Sequence, residues 1–276
     1  MSKLAFDSLV VEVTRRCNID CEHCLRGDPE AVNLQYHHLR ATLSQCEYIS
    51  TVTFTGGEPT LNLEPIQWFL NYTKEHQIGF GSFYIATNGV KISEEFIILC
   101  CKLYAAADEK DMCRVDLSDS QFHQAETDAD TELLEALSFF GRKYGENRYR
   151  YESWLNQGRY AEYSDDGREM TREDLEIEYG RIQGTLYLNC EGNIIAGCDW
   201  SYESQRNPSN IVCKSTECIG TATKVWSMDR EELEEYLEGR GFEVRDDESD
   251  EVLRDAVRLD IATNEDIDED WKRGAA

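Results

Sequence analysis

The sequence predicts an α/β fold built on parallel strands, and three observations lead to this prediction. Short apolar strands alternate four times with helical patterns between residues 9 and 140, which favours parallel strands joined by crossovers. Motifs rich in Cys, Gly and polar residues follow the predicted strands directly, where α/β folds build their sites. The 276 residues are 41% hydrophobic, enough for one large domain with a small appendage.

The first predicted strand is an apolar run that suits a strand buried on both faces. Hydrophobic periodicity and β-branched runs give the elements that follow. In order, the predicted elements are strand 9–14, a helix over 34–48 with Leu39, Leu43 and Cys46 on one face, strand 51–55, helix 63–76, strand 82–87, a helix starting at Ser93, strand 113–117, a helix through Leu133, Leu134, Leu137 and Phe140, and a fifth strand at 148–151.

The pattern weakens after residue 144 and becomes clear again near residue 185. Residues 185–196 are predicted as a β-hairpin around Glu191-Gly192. Residues 227–260 are predicted as an acidic pair of helices joined by a loop. We therefore expect a core at 1–184, a Cys-containing hairpin extension at 185–226 and an acidic helix-loop-helix tail at 227–276.

Three cysteines within eight residues form the most informative motif of the chain. Cys17, Cys21 and Cys24 follow the first predicted strand in the pattern C-x3-C-x2-C. Three thiolates can bind three irons of a 4Fe–4S cluster, which leaves the fourth iron open to a small molecule. The alternative is a zinc site with His23 as the fourth ligand, but zinc usually takes its ligands from pairs in separate places.

This Cys motif resembles the cluster loop of the radical SAM superfamily, and further segments strengthen the resemblance. Gly56-Gly57-Glu58-Pro59 is similar to the GGEP segment of that family. Asn88 and the pair Ser118-Asp119 fall where the family makes later contacts to S-adenosylmethionine (SAM). The resemblance covers about residues 9–200 and implies a partial (β/α)6 TIM-like barrel.

The resemblance implies an enzyme that cleaves SAM reductively to a 5′-deoxyadenosyl radical, which abstracts hydrogen from a substrate. It assigns a 4Fe–4S cluster to Cys17, Cys21 and Cys24, and no catalytic side chain beyond that cluster. The residues it assigns to SAM are His23, Gly56, Gly57, Glu58, Pro59, Asn88, Ser118 and Asp119. Glu58 would pair with the SAM ammonium group and His23 would stack near adenine. Asn88, Ser118 and Asp119 also suit turns or helix N-caps, so that alternative stays open.

Four later cysteines surround the predicted hairpin, namely Cys190, Cys198, Cys213 and Cys218. A hairpin with these cysteines, placed after the predicted core, resembles the twitch and SPASM extensions, which carry auxiliary iron–sulfur clusters. The resemblance implies a second iron–sulfur cluster on these four residues. The spacing departs from that pattern, because five residues separate Gly192 from Cys198 and no CxxC motif follows. Cysteines with only structural roles are therefore the alternative.

Charge and composition exclude several classes of function. A net charge of −27 disfavours stable binding to nucleic acid. The sequence contains no apolar segment of about 18 residues, the length that would predict a membrane span. The N-terminus lacks an apolar signal segment, and 11 Cys without an export signal suit a reducing cytoplasm rather than a disulfide framework. We expect a cytoplasmic, oxygen-sensitive protein.

The substrate hypotheses rest on the charge of the tail. Residues 228–276 carry 19 acidic and 7 basic side chains, a charge that could dock a basic leader peptide. The lead hypothesis is therefore a peptide or protein side chain. A nucleotide, nucleoside or other small metabolite is the alternative, and a non-catalytic iron–sulfur sensor is a third hypothesis. The family resemblance implies a flavodoxin or ferredoxin as the electron donor.

Overall fold

The computed structural model describes residues 3–118, 131–142, 155, 157–163 and 173–263. Within these residues the strands are β1 (Leu4–Thr14), β2 (Cys46–Gly56), β3 (Gly79–Thr87), β4 (Arg114–Leu117), β5 (Phe140–Arg142), β6 (Glu176–Glu178), β7 (Arg181–Leu188), β8 (Asn193–Ala196) and β9 (Ile211–Lys214). The helices are α1 (Tyr36–Ser44), α2 (Glu64–His76), α3 (Glu94–Ala106), α4 (Glu132–Glu135), α5 (Gly158–Tyr163), α6 (Ile219–Ser227), α7 (Arg230–Gly239) and α8 (Asp250–Thr263). Strands and helices alternate from β1 to β5, as the sequence predicts.

All of these strands belong to one sheet. Its order is β5-β4-β3-β2-β1-β7-β8-β9, with β6 paired to β7. Strands β5, β4, β3, β2, β1 and β7 pair in parallel along this order. Strands β6 and β8 each pair antiparallel with β7, and β9 pairs antiparallel with β8. Parallel strands joined by helices form the predicted partial TIM-like barrel, so the α/β fold class is confirmed.

The two faces of the sheet bury different kinds of side chain, because successive residues of a strand point to opposite faces. On β1, Leu9, Val11 and Val13 enter the main core, which also contains the buried side chains of α1, α2 and α3. The opposite face carries Val10 in a small cluster with Tyr187, Ile195 and Trp200. This second face is the interior of the partial barrel.

Two predicted helices differ from the observed elements. Helix α1 ends at Ser44 rather than 48, and Cys46 begins β2, where its side chain is fully buried. The helix expected through Phe140 ends at Glu135, and Phe140 instead begins β5. The apolar residues after Glu135 have helical spacing, but pairing of Phe140 with Val115 satisfies the open edge of β4. The fifth strand predicted at 148–151 lies outside the described residues.

The predicted hairpin is present and continues the main sheet. Leu186 of β7 pairs with Ala196 of β8 on one side and with Leu9 of β1 on the other. The boundaries expected between core, extension and tail stay predictions. This arrangement places the turn after β7 beside the loop after β1.

The two acidic helices pack against each other through a small core of their own. Leu233 and Leu237 of α7 contact Leu253 and Val257 of α8, and Val225 of α6 joins the same cluster. Across the described part of the chain, each helix is too short or too polar to span a membrane.

Candidate functional site

The Cys loop, residues 15–32, leaves the C-terminal end of β1. A bridge between Thr14 and Asn33 closes the loop at its base. Inside it, the amide of Cys24 donates to the carbonyl of Cys21 at 3.2 Å. Cys21 is buried, while Cys17 and Cys24 are half-buried. All three predicted ligands therefore sit in one short, folded loop, where His23 is also half-buried.

Burial disfavours the ionised form of Cys17 and Cys21. Burial, together with repulsion from neighbouring Cys24 and Cys17, raises the pKa of Cys21 to about 12. Burial also raises the pKa of Cys17, against hydrogen bonds from the backbone of Ile19 and Asn18 that lower it. Three mutually repelling thiolates require a cationic partner to ionise together.

The three thiol side chains of the Cys loop are soft ligands, which suit the irons of an iron–sulfur cluster. No group of three or more His, Cys, Asp or Glu side chains among the described residues is arranged to hold a single metal ion. In a 4Fe–4S cube each Cys binds a different iron, so its thiols surround the cluster instead of meeting at one ion. Cys17, Cys21 and Cys24 could hold such a cluster in this loop.

The Gly-Gly-Glu-Pro turn packs directly on the start of the Cys loop. The amide of Gly57 donates to the carbonyl of Thr14, and that of Glu58 to the carbonyl of Arg16, both at 2.9 Å. A Cβ atom on Gly56 or Gly57 would clash with these same carbonyl oxygens. The glycines are therefore needed where two backbone segments meet, and their expected contact with SAM stays a prediction.

Replacement of Gly57 with alanine should lower the free energy of unfolding by about 1–3 kcal/mol, because the added methyl group meets fixed backbone. Gly239→Ala is the matched control, since a Cβ there has no atom within 4 Å and lies at the end of a helix. The control should be neutral or stabilising by up to about 1 kcal/mol. Urea unfolding measures the free energy of unfolding of both variants. Equal stability of Gly57→Ala and Gly239→Ala would contradict the close backbone approach at Gly57.

Glu58 is buried and fully engaged inside the protein. It is 1% exposed. Its carboxylate accepts from the amide and hydroxyl of Thr60 at 3.1 and 2.8 Å, the hydroxyl of Thr87 at 2.7 Å and the amide of Asn88 at 2.8 Å. Burial raises the pKa of Glu58, although these hydrogen bonds oppose the shift. Glu58 thus ties the end of β2 to the end of β3, and Pro59 begins the short turn that Glu58 caps. Its expected pairing with the SAM ammonium group stays a prediction.

Asn88 and Ser118 lie at the same edge of the sheet. The side chain of Asn88 donates to that of Asn18 in the Cys loop at 2.8 Å. The amide of Ser118 donates to the carbonyl of Thr87 at 2.7 Å. The structure therefore brings the Cys loop, the Gly-Gly-Glu-Pro turn, Asn88 and Ser118 to one edge, while Asp119 lies outside the described residues.

The sequence does not predict a buried ionic network that borders the Cys loop. Arg15 is 0% exposed and is the centre of the network. Its guanidinium donates to Glu12 at 3.1 Å, Glu30 at 3.0 Å, Glu191 at 2.9 Å and Gln205 at 2.9 Å. Burial alone would lower the pKa of Arg15, but the carboxylates outweigh it and raise the pKa above its usual range. A buried charge is stable only with such partners.

The network joins the Cys loop to the turn between β7 and β8. Glu12 also accepts from the hydroxyl of Tyr187 at 3.0 Å and from the amide of Cys190 at 2.8 Å. One signal in the sequence could have indicated it, namely a charged residue, Glu12, inside the apolar run 9–13. Charged side chains are rarely buried unless they are paired.

A second set of contacts holds the other end of the Cys loop. Arg26 donates to the carbonyls of Cys198 at 2.7 Å and Trp200 at 2.5 Å. The amide of Tyr202 donates back to the carbonyl of Arg26 at 2.9 Å. From α5, the amide of Arg159 donates to the carbonyl of Cys24 at 2.9 Å. Segments distant in sequence therefore fix the loop at both ends.

The four later cysteines do not form one group. Cys190 and Cys213 belong to the main core. Cys198 packs against the small cluster on the opposite face of the sheet, and Cys218 precedes α6. The second iron–sulfur cluster stays a prediction, and this arrangement gives it no support.

One solved structure among the proteins similar to this chain agrees with the fold. No protein-family model matches the chain. An uncharacterized protein of Methanocaldococcus jannaschii is 26% identical over 91 residues, 32% of each protein. The structure of anSMEcpe with bound AdoMet, which is SAM, has a TM-score of 0.50 at 12% identity over 83% of this chain and 86% of that one. SuiB of Streptococcus suis bound to precursor peptide SuiA has a TM-score of 0.31 at 21% identity over 43% of this chain.

These likenesses are limited in length and identity. The chain spans about a third of the M. jannaschii protein and a quarter of the SuiB chain. At 12% identity, the likeness to anSMEcpe shows a shared fold.

Proposed function

We propose that this protein is a radical SAM enzyme with a 4Fe–4S cluster on Cys17, Cys21 and Cys24. The observation that carries the proposal is the junction of the Cys loop with the Gly-Gly-Glu-Pro turn. Two backbone hydrogen bonds join the turn to the end of β1 and to the first residues of the Cys loop, at the C-terminal edge of a parallel sheet, where such folds bind ligands. The AdoMet bound to anSMEcpe supports SAM as the ligand.

The residues of this edge have separate tasks in the proposed enzyme. When bound, the cluster would supply the electron that cleaves SAM to methionine and a 5′-deoxyadenosyl radical. The Cys loop would hold the cluster, and the turn at Gly56 and Gly57 would offer backbone carbonyls to the SAM ammonium group. Ser118, with Asp119 after it, would contact the carboxylate or ribose of SAM, and His23 would stack on adenine. A flavodoxin or ferredoxin is the proposed electron donor.

We further propose a peptide or protein side chain as the substrate. The acidic helices α7 and α8 support this class, because their charge favours a basic leader segment. A nucleotide, nucleoside or other small metabolite is the second candidate. The polar residues of the barrel interior, such as Thr53 and Tyr84, suit either class.

Anaerobically reconstituted protein should convert SAM to 5′-deoxyadenosine when dithionite is added, because the proposed cluster ligands and the proposed SAM contacts lie at one edge. Liquid chromatography with mass detection measures the product. Reactions without dithionite, or with S-adenosylhomocysteine in place of SAM, are the controls. Absence of 5′-deoxyadenosine from protein that holds a full cluster would rule out the enzyme.

A sensor that binds a cluster without turnover is the remaining alternative. Isothermal titration with SAM separates it from the enzyme, since a sensor needs no SAM site. Binding of SAM to the reconstituted protein supports the enzyme, and a lack of binding supports the sensor.

A further inference from the structure

The side chain of Asn88 is held between the Cys loop and the end of β3. Asn88 is 9% exposed. Its Oδ1 accepts from the amide of Val90 at 3.0 Å. Its Nδ2 donates to Oδ1 of Asn18 at 2.8 Å and lies 4.0 Å from Sγ of Cys17. An Asn amide carries two N–H donors, so one can serve Asn18 while the other faces the sulfur.

The backbone of Asn88 is fixed by a buried carboxylate. Its amide donates to Oε2 of Glu58 at 2.8 Å. The other oxygen of Glu58 is held by Thr60 and Thr87. Because Glu58 is buried and saturated with donors, the backbone that carries the Asn88 amide has little freedom to move.

The sulfur of Cys17 lies in a small group of hydrogen-bond donors. Backbone hydrogen bonding from Ile19 and Asn18 lowers the pKa of Cys17, and Nδ2 of Asn88 lies 4.0 Å from its sulfur, reaching it from the end of β3. Such donors are typical of sulfur atoms that carry negative charge, because a hydrogen bond stabilises the charged form.

We infer that Asn88 is a positioning residue for the iron–sulfur cluster, whose amide holds the sulfur of Cys17 and raises the reduction potential of the cluster. The inference rests on the proposed function, because it presupposes a cluster on this loop. Reduction adds negative charge to the cluster, and a donor to a ligand sulfur stabilises that charge. Both polar atoms of the Asn88 side chain have partners within the protein, so the amide serves the loop instead of the SAM contact that the family resemblance implies.

The test is the midpoint potential of the cluster, measured without SAM by redox titration and electron paramagnetic resonance. Asn88→Ala removes the donor and should make the potential more negative. Asn88→Asp keeps the acceptor for Val90 but puts a carboxylate beside the sulfur, so its shift should be larger in the same direction. Asn18→Ala leaves the N–H that faces Cys17 in place and should shift the potential less than Asn88→Ala does.

Asn62→Ala is the matched control, because Asn62 lies at the same edge but donates to the carbonyl of Val13 at 2.7 Å. It should leave the potential unchanged. In the Asn88 variants the Kd for SAM, measured by titration calorimetry, should stay within about tenfold of wild type. If Asn88→Ala does not fold, Asn88→Asp still tests the expected shift to a more negative potential.

Two results would overturn the inference. One is an unchanged potential in Asn88 variants that hold a full cluster. The other is a loss of SAM affinity of about tenfold or more, which would make Asn88 a SAM ligand. Failure of the proposed function would look different, because the wild-type protein itself would then hold no 4Fe–4S cluster or form no 5′-deoxyadenosine.

Discussion

Replacement of Arg15 with methionine should lower the free energy of unfolding by about 3–5 kcal/mol. The reason is that Glu12, Glu30 and Glu191 would lose the buried cation they share. The methionine side chain fills much of the volume of the arginine side chain, so lost packing contributes little to the change in the free energy of unfolding. Guanidinium unfolding followed by circular dichroism measures the change. The Cys loop should also become sensitive to proteolysis, since Arg15 begins it.

Arg206→Met is the matched control for this variant. Arg206 binds the same Glu30 and Glu191, at 2.6 and 2.9 Å, but its side chain is 45% exposed. An exposed ion pair contributes about 0–1 kcal/mol, so the control should lose no more than that. Equal losses in the two variants would contradict a central role for the buried charge.

The pH dependence of stability follows from the same network. Burial would raise the pKa of Glu30, but hydrogen bonds from Arg206 and Arg15 outweigh it and lower the pKa below 4.5. A carboxyl with a lowered folded-state pKa stabilises fully above its unfolded pKa and loses this contribution as the pH falls through the folded value. Wild type should therefore lose stability below about pH 4.5, and Arg15→Met should lose less over that range.

The triple variant Cys17→Ala, Cys21→Ala and Cys24→Ala should retain no iron after anaerobic reconstitution, and its 5′-deoxyadenosine should fall to the level without protein. The three thiols are the proposed ligands of the cluster, and the later cysteines do not form one group. Iron and sulfide analysis with absorption spectroscopy gives the measurement.

Cys101→Ala is the control for the triple variant, since Cys101 is exposed on α3, away from the Cys loop. Iron content and product should match wild type. Iron that remains in a folded triple variant would contradict a single cluster and would favour the auxiliary site predicted on Cys190, Cys198, Cys213 and Cys218.

Local patterns in the sequence were sufficient to predict the strands and loops at the candidate site. The apolar run before Cys17 and the β-branched run before Gly56 determine where β1 and β2 end, because both signals are contained within a few residues. Strand β5 could not be predicted, since three residues show no period and Phe140 follows a helical spacing. Its strand conformation comes from the open edge of β4.

The network around Arg15 could not be predicted for a different reason. Its partners Glu191 and Gln205 lie 176 and 190 residues away along the chain. No periodicity or spacing relates such positions without an alignment. The sequence also does not show that Gly56 and Gly57 make room for the backbone at the end of β1. Nor does it show that Asn88 faces the thiol of Cys17. Both contacts depend on how the strands of the sheet align.

These long separations bear on the order of events during synthesis. The contacts that close the Cys loop through Arg15 cannot form until residues 191–205 have left the ribosome. At about 5–20 residues per second, that delay lasts roughly 10–40 s after the cysteines emerge. During this interval the three thiols are accessible in a loop that has not closed, which is the period when a cluster carrier could deliver iron and sulfide to them. Loading the finished protein, as in anaerobic reconstitution, takes place on a loop that its ion pairs already hold.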